Sequence, residues 1–502
     1  MPINSTHPQY KENVGLWVKC RDAVEGQEAI KKRGMVYLPA LSGHLKVSDG
    51  AQAYQAYLNR ALWFGATDRT LTGYVGAIMR KDPVFVVPDA MNLVLDNITG
   101  SYQSAVQFVH SVTKELLTTG RLGLLVDMAE DTDDEDDFPF IKMYYPENIL
   151  NWFMDGHDLQ CVMLQEDILQ PKFEDPYEQE CVTQIRCLCL DNVGKYTVII
   201  YRNQGNGIDS WVPVKTTKPV VRGLPLTEIP FFFVSSDEDN YSCSKPPILD
   251  LVNCNINHYQ LDADYRHGLH FTALPTPIFT GVEGDRDYYL GSECAINLRN
   301  ENSKAFYLEF QGIGLNAIKD AMEERKSQMA SLGAQLLSRK SGGRTVETAE
   351  AARIQQSGET SLLSTIVGRV EESLKRALWF VASFMNIDLP VGGNEIVVSI
   401  NRDFIDATLN SQEITSLTQA LQAGALSPED LFWNFQRGGV VDPKKSLEAF
   451  KAELDAEKTR RLAAMPAGGP FGGTADNQGG TNGPGAVKPG GPGAASRSEA
   501  VK

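Results

Sequence analysis

Apolar residues between Gly314 and Asn386 recur at helical spacing, which predicts two long amphipathic helices separated by a loop. Charged residues fill the opposite face of the first helix. The second helix runs from Glu347 to Asn386 and spans roughly 60 Å at about 1.5 Å per residue. The apolar positions are Leu315, Ile318, Met322, Met329, Leu332 and Leu336, then Leu362, Ile366, Val370, Leu374, Leu378, Val381 and Met385.

The loop between these helices is short and basic: Arg339-Lys340-Ser341-Gly342-Gly343-Arg344. Two interpretations stay open for it. Either its basic side chains contact a polyanion such as DNA, or the loop is a solvated turn whose basic residues stabilise the C-terminus of the preceding helix.

Before this segment the pattern alternates between helices and strands. Residues 1–50 show weak patterning and are left without a prediction, and Pro466 to the end is rich in glycine and proline and is predicted to be disordered. The predicted helices are 51–80, Ser101–Thr119, Ile248–Phe271, Ser411–Gly424, Ser427–Arg437 and Pro443–Leu462. The predicted strands are Arg121–Asp127, Phe138–Tyr145, Cys161–Leu164, Cys181–Leu190, Tyr196–Arg202, Phe231–Val234 and Glu395–Asn401. Residues 272–313 read as short strands and turns, so the fold class is α+β.

Composition and charge limit the functions that the chain can have. The 502 residues are 42% hydrophobic, and the formal net charge of −17 argues against tight, sequence-independent binding of nucleic acid by the whole chain. A negative net charge still allows local contacts between parts of the chain and DNA. The chain has no long apolar run and no basic-then-apolar start, so a soluble, non-secreted protein with no membrane partner is expected.

The eight cysteines are scattered along the chain, which suggests reduced thiols. Cys187 and Cys189 form the only close pair, and an alternating pattern places them on the same side of a strand. No second pair at zinc-like spacing accompanies them, so no metal site is predicted.

The acidic run Glu130–Asp137 has two possible interpretations. A calcium loop of the EF-hand type needs a glycine at its sixth position and a helix on each side. The run has neither, so a solvated hairpin tip is favoured.

Five residues of the 248–271 helix could carry chemistry: His258, Asp262, Asp264, His267 and His270. A metal-dependent hydrolase would need them on one side, whereas about 100° per residue puts His258 and His267 on opposite faces. Polar pairs on a helix surface are the favoured interpretation. The chain also lacks the phosphate-loop, G-x-S-x-G and H-E-x-x-H motifs, so no enzyme activity and no cofactor are predicted.

One pentapeptide, Arg-Ala-Leu-Trp-Phe, occurs at both 60–64 and 376–380. The surrounding residues are dissimilar and there is no third copy. We interpret the two copies as a coincidence between two amphipathic helices rather than as a repeat.

The chain resembles the portal proteins of tailed bacteriophages over roughly residues 50 to 460. The stretches that carry the resemblance are Tyr57-Leu-Asn-Arg-Ala-Leu-Trp-Phe-Gly-Ala-Thr67, Asn257-His-Tyr-Gln-Leu-Asp-Ala-Asp-Tyr-Arg-His-Gly-Leu-His-Phe271, Met329-Ala-Ser-Leu-Gly-Ala-Gln-Leu-Leu337 and Glu347-Thr-Ala-Glu-Ala-Ala-Arg353. The resemblance implies a portal fold with a helical stem and crown, a mixed α/β wing and a small β-containing clip. Such subunits assemble into a ring, typically of about twelve copies, around a channel for double-stranded DNA.

Carried onto this chain, the resemblance implies a division into parts. These are an uncommitted segment 1–50, a wing 51–247, stem helices 248–271 and 314–338, a clip 272–313, a channel loop 339–346, a long wing helix and strand 347–410, a crown 411–462 and a tail 463–502. The DNA-contacting residues would be Arg339, Lys340, Gly342, Gly343 and Arg344. The clip would dock partners through Asp285, Arg286, Asp287, Tyr288 and Tyr289.

The implied partners are further copies of the chain, double-stranded DNA, the packaging terminase, the major capsid protein and a head-tail adaptor. The implied location is one vertex of a virion capsid, after assembly in the host cytoplasm. Such a ring would pass DNA during packaging and ejection while the terminase supplies the ATP-driven work. A generic oligomeric scaffold without a DNA channel is the remaining alternative.

Overall fold

A computed structural model gives the fold of the chain. It describes residues 3–43, 50–128, 138–156, 158–172, 175, 177–203, 211–237, 241–273, 276–280, 302–308, 312–333, 349–389, 395–402, 404, 411–423, 425–437, 440–441 and 445–464. The chain divides into two compact units, Met1–Ile405 and Asp406–Lys502. The prediction of an α+β fold is confirmed.

The first unit begins with two helices, α1 (Pro8–Glu25) and α2 (Gln27–Arg33), in the 1–50 segment that was left without a prediction. Proline occupies the first turn of α1, where its missing N–H costs no hydrogen bond. The His7 side chain caps this helix by accepting from the Gln9 N–H. The apolar side of α1 is buried through Trp17, Cys20 and Ala23.

The predicted helical region 51–80 contains two helices, α3 (Gly50–Arg60) and α4 (Ala66–Ile78). The short helix α5 (Asn92–Asp96) and the predicted helix α6 (Ala105–Thr119) follow. A capping box between Ser104 and Gln107 begins α6, and Gly120 ends it with a left-handed φ of 76°.

A three-stranded sheet packs beside α6. Its central strand β2 (Arg121–Asp127) pairs antiparallel with β3 (Phe140–Tyr144) and with β11 (Phe231–Ser235), in the order β11-β2-β3. All three predicted strands are therefore confirmed. The acidic run Glu130–Asp137, for which a solvated hairpin tip was favoured, lies outside the described residues.

Five further strands form a second antiparallel sheet with neighbours in chain order. They are β4 (Ile149–Asp155), β5 (Asp158–Pro171), β6 (Gln179–Leu190), β7 (Tyr196–Asn203) and β8 (Trp211–Thr217). One face of this sheet packs against the aromatic residues of β11. A two-residue ladder, β9 (Val220–Val221) with β10 (Leu224–Pro225), follows β8.

The long helix α9 (Ala349–Phe384) completes the main core of the first unit. Its buried residues, which include Ile366, Val370 and Leu374, pack with residues of α4, α6, β2 and β11. Beside it, β1 (Val84–Val86) pairs with β14 (Val397–Ser399), which lies within the predicted strand Glu395–Asn401. The helix matches the 347–386 prediction to within two residues at each end.

The second unit contains α10 (Ser411–Gln422), α11 (Pro428–Arg437) and α12 (Leu447–Ala464), so its three predicted helices are confirmed. A small core of Leu431, Phe432 and Phe450 joins them. The residues from 465 onward, for which disorder was predicted, lie outside the described residues.

Candidate functional site

The most distinctive local arrangement is a helical hairpin made of α7 (Leu249–Ala273) and α8 (Ile313–Ser331). The helices run antiparallel, because Cys254 Sγ contacts the Arg325 carbonyl at 3.5 Å near one end while Gly268 packs against Leu315 near the other. A Cβ at Gly268 would lie 2.6 Å from Leu315 Cδ2, so glycine permits this close approach.

Two short strands connect the helices. Strand β12 (Thr276–Thr280) pairs antiparallel with β13 (Lys304–Leu308) in register Thr276 with Leu308. This small sheet agrees with the short strands predicted within 272–313. The docking residues Asp285, Arg286, Asp287, Tyr288 and Tyr289 lie between the strands, outside the described residues.

Burial changes along α7. Its first half lies in the core of the unit and buries residues as far as Ala263, whereas every residue from Asp264 to Ala273 is half-buried or exposed. Apolar side chains in this second half and on β13 are open to solvent, with Leu269 41% and Phe271 53% exposed. Phe306 and Tyr307 are also exposed. Among the described residues, the hairpin therefore presents apolar surface that no other segment covers.

The buried half of α7 is attached to the connection between α3 and α4. Asp262, 5% exposed, accepts a hydrogen bond from the Leu62 N–H at 2.8 Å and another from Arg266 Nε at 2.8 Å. The carboxylate thereby satisfies a backbone donor just after α3 ends.

Two more side-chain contacts attach α7 to the same region. Tyr57 Oη donates to Asp264 Oδ1 at 2.6 Å, and Asn255 Nδ2 donates to Thr67 Oγ1 at 2.9 Å. Burial raises the pKa of Tyr57, and its hydrogen bond to Asp264 raises it further. The phenol therefore stays protonated and acts as a donor.

The three histidines of α7 do not converge. His258 is 3% exposed and lies against Phe64, with ring centroids 5.4 Å apart. His267 meets Tyr57 edge-on at 5.3 Å, and His270 lies beside Phe271 at 5.7 Å. Burial lowers the pKa of His258, and the nearby Lys326 lowers it further, so its imidazole is neutral near pH 7.

The interpretation of this cluster as polar pairs on a helix surface is wrong for His258 and Asp262, which are buried. The helical pattern alone could not show that the 61–65 connection covers this face of α7. Tyr57, Thr67 and Asn255 are further partners in this contact, and nothing in the helical pattern indicated them. Across the described residues, no group of three or more histidine, cysteine or acidic side chains could bind a metal ion.

A cavity of about 390 Å³ lies beside His258, between the 61–65 connection and the two helices of the hairpin. Its lining includes Trp63, Lys319, Met322 and Lys326. Opposite charges on α8 pair locally, for instance Lys326 Nζ with Glu323 Oε1 at 3.0 Å. Exposed pairs of this kind stabilise a helix only weakly, so the charged side of α8 is a mixed, solvated surface.

Helix α8 ends at Ser331, seven residues short of the predicted end at Ser338, and residues 334–348 are outside the described ones. The loop residues Arg339, Lys340, Gly342, Gly343 and Arg344 belong to that undescribed segment. Their assignment as DNA-contacting residues stays a prediction.

A family model described as a domain of unknown function (DUF4055) matches residues 247–385. The matched stretch covers the hairpin and the whole of α9. No curated protein gave a match. None of the helices that the structure describes combines the length and the apolar character that a membrane span requires.

The chain is similar to components of gene transfer agent (GTA) particles among solved structures. The neck of a native GTA particle computed with C12 symmetry matches with a TM-score of 0.36 and 12% identity, covering 74% of this chain and 89% of that chain. The neck of an empty particle computed with C6 symmetry gives 0.36 and 13%, with 74% and 90% covered. The virion of a native particle gives 0.36 and 11%, with 78% and 94% covered. TM-scores this low carry no argument about function.

Proposed function

We propose that this chain is a portal subunit, which forms a ring at one capsid vertex and a channel for double-stranded DNA. The observation that carries the proposal is the order of elements: an antiparallel helical hairpin with a two-stranded sheet between its helices, followed by the 36-residue helix α9. This is the order that the sequence resemblance to portal proteins implies.

The exposed apolar residues of the hairpin support assembly. Leu269 and Phe271 on α7 and Phe306 and Tyr307 on β13 are large and exposed in the part of the chain that the structure describes. A neighbouring copy in a ring would bury such residues, and burial of apolar surface favours association. The hairpin would then form the stem, and the connecting strands would form part of the clip.

The charge of the chain suits a channel through which a polyanion must slide. A net charge of −17 disfavours strong retention of DNA, because each phosphate contact adds to a salt-dependent affinity. A few basic residues on the glycine-containing loop 339–344 would make transient contacts with phosphate groups. Gly342 and Gly343 would let this loop change conformation.

The loop's role can be tested by changing Arg339, Lys340 and Arg344 together to glutamine. We expect rings to assemble normally while packaged DNA decreases, measured by nuclease-protected DNA per particle. A matched control changes Lys445, Lys451 and Arg460, which lie on and next to α12, to glutamine. Packaging equal to that of the unmodified protein would contradict the loop's role.

The proposal also assigns partners. The clip, with Asp285, Arg286, Asp287, Tyr288 and Tyr289, would bind the packaging terminase first and a head-tail adaptor later. The strands between residues 121 and 235 would face the major capsid protein. The ATP-driven work belongs to the terminase, since the sequence contains no phosphate loop.

Electron microscopy of the purified full-length protein tests the function directly. We expect rings of about twelve subunits with a central hole wide enough for a DNA duplex. Monomers or filaments would contradict the proposal, and closed rings without a hole would favour a scaffold without a channel. Stoichiometric zinc, manganese or iron in the purified protein would instead support a metal-dependent hydrolase.

A further inference from the structure

Three cysteine thiols lie together on the five-stranded sheet. Cys161 on β5 is directly opposite Cys189 on β6 in the strand register, and Cys187 is two residues away from Cys189 on the same strand. The Sγ atoms of Cys161 and Cys187 are 3.5 Å apart. All three are free thiols in the structure.

The thiols occupy the face of the sheet that points away from the core shared with β11. Val162, Leu164 and Leu188 alternate with them along the strands and face that core. Cys187 is 5% exposed, whereas Cys161 and Cys189 are half-buried. A small oxidant can therefore reach Cys161 and Cys189 more easily than Cys187.

The backbone favours one pairing within the cluster. Directly opposed residues of antiparallel strands have Cα atoms about 4.5 to 5.5 Å apart, which lies within the usual disulfide range of about 4.4 to 6.8 Å. Diagonal neighbours are about 7 to 8 Å apart. Cys161 and Cys189 are the directly opposed pair, and Cys161 and Cys187 are a diagonal pair.

The surroundings of Cys189 also favour reaction there. The neighbouring Cys161 and Cys187 thiols lower the pKa of Cys189, because their protons can stabilise its thiolate; in the structure the Cys189 thiol donates to the Thr197 carbonyl at 3.7 Å. The thiolate is the form of cysteine that reacts with oxidants.

We propose that Cys161 and Cys189 form a disulfide bond when the protein is exposed to a two-electron oxidant such as hydrogen peroxide. The Cys189 thiolate attacks one peroxide oxygen and breaks the O–O bond, giving a sulfenic acid and hydroxide. The Cys161 sulfur then attacks the Cys189 sulfur and expels hydroxide, which takes up the Cys161 proton and leaves as water. Peroxide is reduced and the two thiols are oxidised.

The bond covalently joins β5 to β6 at the end of the sheet where β5 begins. It closes the chain between residues 161 and 189, which restricts the unfolded chain and raises the unfolding temperature of the oxidised protein. The two cysteines would stay reduced in a reducing cytoplasm and would form the disulfide after exposure to an oxidising environment. This inference rests on the strand register that places Cys161 opposite Cys189, and it is independent of the proposed portal function.

The full-length protein can be treated with hydrogen peroxide, alkylated, digested and examined by mass spectrometry. We expect a linked peptide pair containing Cys161 and Cys189, two hydrogen atoms lighter than the separate peptides, and reversal by dithiothreitol. In Cys161→Ser this link is lost. In Cys254→Ser, which changes a buried thiol on α7, the link forms as in the unmodified protein.

Far-UV circular dichroism of each variant shows whether it is folded before oxidation. Complete alkylation of Cys161 and Cys189 after peroxide treatment would overturn the proposal. A wild-type link between Cys161 and Cys187 instead would overturn the assigned pairing.

Discussion

At the scale of single residues, Glu166 shows how a buried charge is stabilised between the two sheets. Its carboxylate is 6% exposed and accepts hydrogen bonds from Lys142 Nζ at 2.7 Å, Tyr144 Oη at 2.6 Å and Gln184 Nε2 at 2.8 Å. Burial alone would raise the pKa of Glu166. The positive charges of Arg186 and Lys142 and the hydrogen bonds outweigh burial and lower the pKa to about 2.

This pKa makes the stability of the first unit depend on pH. The pKa of Glu166 is lower in the folded state than the ordinary value of 4.5, so its contribution is fully present above about pH 5 and is lost as pH falls toward 2. We expect Glu166→Gln to reduce the free energy of unfolding by about 3 kcal/mol at pH 7 and by progressively less at lower pH. Urea unfolding of both proteins between about pH 7 and about pH 3 measures the difference.

A matched control is Glu178→Gln, which changes an exposed carboxylate paired with Lys172. Exposed pairs contribute little, so this variant should follow the unmodified protein at every pH. A Glu166→Gln difference that stays constant with pH would contradict the role of the Glu166 charge.

Gly123 is required by packing rather than by its backbone angle. It lies in the central strand β2, and a Cβ there would be 2.3 Å from Phe231 Cζ and 3.0 Å from Ile149 Cδ1. Neither the Phe231 ring nor the Ile149 side chain can move easily inside a closely packed core. The sequence alone could not distinguish this glycine from a turn residue, because the clash comes from a strand more than a hundred residues away.

We expect Gly123→Ala to lower the free energy of unfolding by about 1 to 3 kcal/mol, since overpacking strains the core. Gly76→Ala is the matched control, because Gly76 lies in α4 and a Cβ there would have no atom within 4 Å. Alanine favours helix over glycine, so the control should gain about 0.5 to 1 kcal/mol. Thermal or urea unfolding measures both, and equal stability of the two variants would refute the packing argument.

At the scale of elements, one pentapeptide adopts two conformations. Residues 376–380 lie inside α9, whereas α3 ends at Arg60 and residues 61–64 are not helical. The interpretation of both copies as amphipathic helices is therefore wrong for the first. At the first copy the Leu62 N–H bonds to Asp262 and the Trp63 N–H to Gln27 at 3.3 Å, which replaces the helical pattern.

Helix α1 also could not be predicted, for a related reason. Its apolar pattern is weak, and Gly15 lies in its middle. Contacts with distant residues support it instead: Arg21 forms ion pairs with Glu115 and Glu147, each at 2.8 Å. Periodicity reports amphipathic faces and does not report ion pairs between segments about a hundred residues apart.

The exposed apolar residues of the α7–α8 hairpin can be tested by mutation. Changing Leu269 and Phe271 together to glutamate places charges on the exposed apolar surface of α7 and should prevent ring assembly without unfolding the chain. Sedimentation velocity measures assembly, and circular dichroism shows whether the fold is intact. Leu169→Glu, on a still more exposed apolar residue of β5, is the control and should assemble normally. Normal rings from the double variant would exclude this surface from the interface.

At the scale of the whole molecule, the long periodic elements were the predictable part. Helices α6, α7, α9 and the three helices of the second unit, and the strands β2, β6, β7 and β11, were found close to their predicted positions. Their patterns are strong because one face of each is buried. The attachment of α7 to the 61–65 connection was not predictable, since it depends on side chains about two hundred residues apart.

The main core also determines when the chain can finish folding. Helices α4 and α6 are made early, yet the helix that covers them, α9, begins 230 residues after α6 ends. Asn401 Nδ2 even donates to the Ala77 carbonyl, 324 positions earlier. At roughly 5 to 20 residues per second, a ribosome needs about 10 to 50 s to make that intervening stretch. The apolar faces of α4 and α6 stay uncovered for this time, so a chaperone that binds nascent chains has its clearest target there.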